Sequence, residues 1–98
     1  MTLEIKKNQE ETIIKIVGRL DTITAPALDK TINEDIGETK SLVIDAKGME
    51  YISSAGLRVL LSAQKKMNKL GSMKITCVCE EVMEVLEMTG FVDVFSIE

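Results

Sequence analysis

A pair of hydroxyls, Ser53-Ser54, followed by Ala55-Gly56 and then by the apolar spacing of an amphipathic helix, is where this 98-residue chain places residues able to do chemistry. The first turn of a helix has backbone N–H groups without intrahelical partners, and the helix dipole presents its positive end there. Negative charge is favoured at such a place. A hydroxyl in it has three uses: a plain N-cap, an anion contact, or a serine that accepts a phosphoryl group whose added charge alters partner binding. From the dipeptide alone the cap is the most economical reading, contributing about 1 kcal/mol. Gly56 adds information, because a glycine in the first turn lowers helix propensity by up to about 1 kcal/mol relative to alanine. A close approach to its backbone would explain that cost.

Other chemistries lack their residues. The chain has no histidine, which removes the usual neutral-pH base, the commonest metal ligand and every Ser-His or Cys-His nucleophile pair. Neither a GxGxxG pattern nor a GK[ST] phosphate loop is present, so a nucleotide enzyme has little support. No cofactor and no metal site are expected. Cys77 and Cys79, two apart in an expected strand, should share one face with Met73 and Ile75 as small core residues. A net charge of −4 argues against nucleic-acid binding and leaves protein as the expected partner. Lys65, Lys66 and Lys69 fall near the end of an expected helix, where cations complement the dipole.

The elements that must position the serine pair are readable from periodicity. Leu3 and Ile5 alternate with Glu4 and Lys6, Asn8 to Glu11 is polar, and Thr12 to Val17 is β-rich, which predicts an N-terminal hairpin. Thr22 to Pro26 carries helix-start residues, with Thr24 as the cap, and Ala25, Leu28 and Ile32 recur at helical spacing until Gly37. Ser41 to Asp45, with Leu42, Val43 and Ile44 continuously apolar, reads as a central strand, and Ala46 to Ile52 as a loop leading to the serines. The helix after it places Leu57, Leu60, Leu61, Met67 and Leu70 on one stripe and ends at Gly71. Met73 to Cys79 reads as the next strand, Val82, Val85 and Leu86 as a short helix stopped by Gly90, and Val92 to Ile97 as a closing strand. The order β-β-α-β-α-β-α predicts an α/β fold with a mixed β-sheet of four to five strands and helices packed on it. At this length a single domain, 1–98, without a linker is expected, and 45% hydrophobic with 29% charged residues describes a soluble globular protein. Absence of a signal peptide or a membrane-length apolar run points to the cytoplasm.

The strand SLVID, the segment AKGMEYI, the junction SSAGL and the helix after it resemble the STAS domain of bacterial anti-sigma factor antagonists. GRLDTITAPAL is similar to the start of that family's first helix, and LGSMKITCV and VLEMTGFVDVF to its last strand and terminal helix-turn-strand. The resemblance spans nearly the whole chain. It implies a sheet covered on one side by helices, with a phosphorylated serine at the N-terminus of the second helix. In the family the junction reads Asp-Ser-Ser/Thr/Ala-Gly-Leu, and the serine after the aspartate is phosphorylated by a partner kinase that is also the anti-sigma factor. By position that serine is Ser54, and the family's aspartate falls on Ser53. Asp21, in GRLD, resembles a residue that lies near the serine in relatives; from the sequence alone it is equally a turn or cap acid before the first helix.

Two functions compete. In the first, the resemblance implies a switch rather than an enzyme: the unmodified protein binds an anti-sigma factor with serine kinase activity through Asp21, Ser53, Ser54 and Gly56, a sigma factor is released, and phosphorylation of Ser54 weakens the complex. In the second, supported by Ser53 in place of aspartate, the domain is a partner-binding module of a larger sensory or regulatory complex with no phosphorylation cycle. An enzyme built on Ser54 ranks below both, having no base, metal cluster or phosphate-loop lysine.

Overall fold

The structure, a computed structural model, describes residues 1–37 and 39–98. In chain order the elements are β1 (Thr2–Lys7), β2 (Glu11–Leu20), α1 (Ala25–Asp35), β3 (Ser41–Ile52), α2 (Ser54–Leu70), β4 (Ser72–Thr76), α3 (Glu80–Thr89) and a 3-10 turn at Phe91–Asp93. They build the expected α/β arrangement, a four-stranded mixed sheet in the order β1-β2-β3-β4. The hairpin β1–β2 is antiparallel, and its polar turn is closed by Asn8, whose Oδ1 accepts the N–H groups of Glu10 and Glu11 at 2.9 and 2.8 Å. Strands β2, β3 and β4 run parallel. Because spatial order follows chain order through these strands, right-handed crossovers carry α1 and α2 over the same face of the sheet.

That face holds the core. Alternation in β2 and β3 turns Ile14, Ile16, Leu42 and Ile44 toward the helices, where they meet Leu28 and Ile32 of α1 and Leu57, Leu60 and Met67 of α2 in one cluster. Val82 and Leu86 of α3 join it, while Glu81, Glu84 and Glu87 stay exposed. Leu61 and Leu70 are half-buried at the margin of the α2 stripe. On the opposite face of β3, Val43 is also buried, flanked by its register partners Ile13 and Lys74.

Among the described residues one polar pair lies inside. Thr12 and Thr39 are 0% and 3% exposed, and their hydroxyl oxygens are 2.6 Å apart, so each is the other's hydrogen-bond partner. Thr12→Val should cost about 1–3 kcal/mol, because the Thr39 hydroxyl is then buried without a partner, whereas Thr12→Val with Thr39→Val should recover most of that loss. Urea melts of both single variants and the double variant measure the coupling. Simple additivity would show that the hydroxyls do not depend on each other.

Three expectations are corrected. Ala46 to Ile52 is not a loop: β3 continues to Ile52, and the register with β2 slips between Lys15 and Val17 and again between Gly18 and Arg19. Each slip places an extra residue in β3, so apolar alternation breaks up and the segment does not read as a strand. Second, β4 ends at Thr76. Cys77 is exposed with φ 58, and Cys79 is the half-buried N-cap residue of α3, its thiol donating to the Met49 carbonyl at 3.4 Å, so neither extends an apolar row. Third, Val92 to Ile97 forms no full strand. The Phe91 and Phe95 rings stack 5.9 Å apart across the 3-10 turn, and only Ile97 bridges to Ile75 in the edge strand.

Candidate functional site

The carboxyl ends of β2 and β3 meet side by side, since the Ser53 N–H donates to the Leu20 carbonyl at 2.9 Å. Asp21 follows Leu20 and Ser54 follows Ser53, so two expected site residues lie on the chain segments leaving adjacent strands. Ser53 is the N-cap of α2: its backbone is extended at φ −100, ψ 175, and its Oγ accepts from the Gly56 N–H at 3.4 Å. Ser54 is the first helical residue and is exposed. Among the described residues its hydroxyl has no hydrogen-bond partner. The serines thus divide the work, one closing the helix and the other offering a free Oγ where the dipole favours an incoming anion.

Gly56 sits beneath this surface and contributes by packing. A Cβ there would lie 2.6 Å from Leu20 Cγ and 3.1 Å from Ile52 Cγ1, so the bare backbone lets α2 settle against the ends of β2 and β3. The close approach anticipated from the sequence is therefore made by core side chains.

Asp21 holds the turn between β2 and α1. Its Oδ1 accepts the N–H groups of Ile23 and Thr24 at 3.0 and 3.1 Å, and its own carbonyl accepts from Ala25 at 2.8 Å. Thr24 occupies the N-cap position of α1 without making a side-chain cap. Its hydroxyl instead shares its proton between the Arg19 carbonyl at 2.7 Å and Asp21 Oδ1 at 3.1 Å, and accepts from the Asp21 N–H at 2.9 Å. The Asp21 carboxyl is held below its ordinary value of 3.8, first by the Thr24 N–H against partial desolvation, and further by the Thr24 hydroxyl, the Ile23 N–H and Arg19. A depressed folded-state value contributes stability that is complete above the unfolded value and lost as pH falls through the folded one. Asp21→Asn keeps an acceptor but not the charge, so its stability deficit relative to the parent should shrink as pH drops below about 4. Urea melts from neutral to acidic pH measure this. A deficit independent of pH would place the effect in shape rather than charge.

Residues that periodicity did not single out lie near the same strand ends. Arg19 and Tyr51 are register partners across β2 and β3, and the Arg19 guanidinium stacks 4.2 Å from the Tyr51 ring centroid, with Asp21 Oδ2 3.7 Å from Arg19 Nε. Ile23 projects from the turn, 87% exposed. A half-exposed aromatic paired with arginine and an isolated exposed isoleucine are the residue types that anchor protein contacts. The signal for Tyr51 was hidden by the β3 irregularities; Ile23 was legible only as an apolar residue out of step with α1. The four hollows of 250–580 Å³ described on the surface are lined by other residues.

Comparison with known proteins agrees with this fold. The family model for the STAS domain matches residues 2–98. The chain belongs to the STAS domain family. This STAS domain is 26% identical over 98 residues to the anti-sigma-B factor antagonist of Bacillus subtilis, a match covering 99% of this chain and 90% of that protein. Its fold superposes on the crystal structure of an anti-sigma factor antagonist from Mycobacterium paratuberculosis with a TM-score of 0.88 at 24% identity, covering 98% of this chain and 83% of the other. It also superposes on the Bacillus cell fate determinant SpoIIAA in its phosphorylated form, with a TM-score of 0.76 at 14% identity over 99% and 91% of the two chains. No helix among the described residues of the STAS domain is long and apolar enough to cross a membrane.

Proposed function

We propose that this protein is an anti-sigma factor antagonist whose unphosphorylated form binds an anti-sigma factor with serine kinase activity and so releases a sigma factor. The observation that carries this reading is the division of labour at the α2 N-terminus: Ser53 supplies the cap and Ser54 keeps an exposed, unengaged hydroxyl. The names of related STAS proteins support the partner class, and the phosphorylated state of a structural neighbour supports modification as the control. The protein is then the acceptor and not the catalyst. Ser54 Oγ attacks the γ-phosphorus of ATP held by the kinase, the bond to the ADP oxygen breaks, and the hydroxyl proton passes to a base of the kinase. The setting is the cytoplasm, and neither a cofactor nor direct nucleic-acid contact is part of it.

The face around Ser54 suits a protein partner. It carries the exposed Ser54, and Asp21 fixes the turn that leaves the neighbouring strand end. Serine in place of the family's aspartate at position 53 favours a second reading, a binding module without a phosphorylation cycle, but Ser53 accepts the capping N–H as an aspartate would. Incubation with the cognate kinase and ATP followed by peptide mass spectrometry separates the two. Phosphate on Ser54 is expected; phosphate on Ser53 alone, or none, would leave the constitutive module.

A further inference from the structure

We infer that β1 is a dimerisation edge: it pairs antiparallel with β1 of a second copy of this chain about a two-fold axis at Ile5, joining the two sheets into one. The two edges of the sheet differ. On β4 the outer side is taken by the chain's own C-terminal segment, where the Ile75 N–H donates to the Ser96 carbonyl at 2.8 Å and the Glu98 N–H to the Ile75 carbonyl at 2.9 Å. Among the described residues no backbone hydrogen bond reaches the outer side of β1.

The hairpin fixes which groups of β1 are free. The Asn8 N–H donates to the Glu11 carbonyl at 2.9 Å, which makes these two a hydrogen-bonded pair in the register that matches Lys7 with Thr12 and Lys6 with Ile13. Such pairs alternate along an antiparallel ladder, so Thr2, Glu4 and Lys6 turn their backbone groups toward β2, and Leu3, Ile5 and Lys7 turn theirs outward. The far side of β2 agrees, because the carbonyl of Glu10 points away from β1 and accepts from Lys40 and Ser41 at 2.9 and 3.0 Å. Outward amide and carbonyl groups without partners are an edge that another strand can extend.

Side chains select the partner and the register. Leu3 and Ile5 lie opposite Ile16 and Ile14, hence on the helix-covered face, with Ile5 41% exposed at its margin. On the bare face Glu4 lies opposite Lys15 with 3.8 Å between Oε2 and Nζ, while Lys6 lies opposite Ile13 and has no ion pair among the described residues. Lysines on an edge ordinarily deter pairing. Here a two-fold axis at Ile5 sets each Lys6 directly opposite Glu4 of the second copy, in non-hydrogen-bonded pairs whose Cα atoms are about 4.5 Å apart. The same axis sets Ile5 against Ile5 and lets Leu3 exchange backbone bonds with Lys7, so all three outward residues are used. Moving the axis by one residue would set Glu4 against Glu4 or Lys6 against Lys6. Charge therefore makes the edge complementary to itself in one register, as an isologous contact requires. The strand has six residues, so the association is weak and depends on concentration.

Sedimentation equilibrium of the full chain at low salt, up to about 1 mM, should show a reversible monomer–dimer equilibrium. Lys6→Glu and Glu4→Lys each set like charges opposite one another twice per dimer, and each should raise the dimer Kd at least about tenfold. An equimolar mixture of the two variants should regain the dimer, because every close pair across the axis is then again acid against base. A defect in folding would not be undone by mixing. A parent that stays monomeric throughout, leaving the edge to a strand of another protein, would overturn the proposal, as would a dimer indifferent to both substitutions or variants that do not recombine.

Discussion

Ser54→Asp should weaken binding to the anti-sigma factor by on the order of a hundredfold, about 2.7 kcal/mol, while Ser54→Ala binds like the parent. Both variants lose the hydroxyl and only one adds charge. Neither should disturb the fold, because the cap of α2 belongs to Ser53, and an acid in the first turn is favoured by the helix dipole. The cost therefore has to fall on the interface, where a carboxylate must be stripped of water against the partner surface that covers it. Phosphoserine, with about two negative charges and three acceptor oxygens, should act in the same direction and more strongly. Calorimetry of both variants against the partner, with thermal melts alongside, separates an interface effect from misfolding. Equal affinities would remove charge at Ser54 as the switch.

The largest effect on stability is expected at Gly71, where α2 ends and β4 begins. Its N–H donates to the Met67 carbonyl at 2.7 Å, and the next residue, Ser72, donates to the Lys40 carbonyl at 2.9 Å, so the chain is drawn onto the strand preceding it. A Cβ at Gly71 would lie 2.7 Å from the Lys40 carbonyl carbon and overlap its oxygen. This neighbour is backbone and cannot rotate aside. Gly71→Ala should cost about 3 kcal/mol, lowering Tm by about 12–24 °C for a domain of this size. Gly56→Ala offers the comparison: its Cβ would crowd the buried Leu20 and Ile52 side chains rather than backbone, and alanine returns up to about 1 kcal/mol of helix propensity, so its loss should be smaller. Thermal melts of the two should show the Gly71 variant much less stable. A Gly71→Ala protein melting with the Gly56→Ala protein would mean that α2 and Lys40 are not held this close.

Local pattern carried most of the fold. Period-2 alternation placed β1 and β2, spacing at three and four residues placed α1, α2 and α3, and the apolar run Leu42-Val43-Ile44 marked the strand with neighbours on both sides. Those signals persist in a linear chain because each depends on which face of one element is wet. The position of the serine junction was legible for the same reason, at the boundary between a strand and an amphipathic helix. Resemblance to a family singled out Ser54, and the geometry supplies a physical reason for separating it from Ser53: a single side chain closes the first turn, and the backbone angles at Ser53 make it that one.

What depends on contacts between distant residues was not legible. The continuation of β3 to Ile52 depends on β2 accepting two register slips, and slips erase the alternation by which a strand is recognised. Cys77 and Cys79 read as strand residues until the chain bends at the end of β4, a bend fixed by a hydrogen bond to Glu98, twenty-one residues from Cys77. Gly56 read as a place where something approaches the backbone, but only the crossing of α2 over Leu20 and Ile52 identifies what approaches. By itself, then, the sequence determined most of the elements, their order and the location of the serine junction, all of which follow from local periodicity and capping. Tertiary structure alone decided which strands extend, which thiols face water and what packs against Gly56, because those outcomes are set by the pairing and packing of segments far apart in the chain.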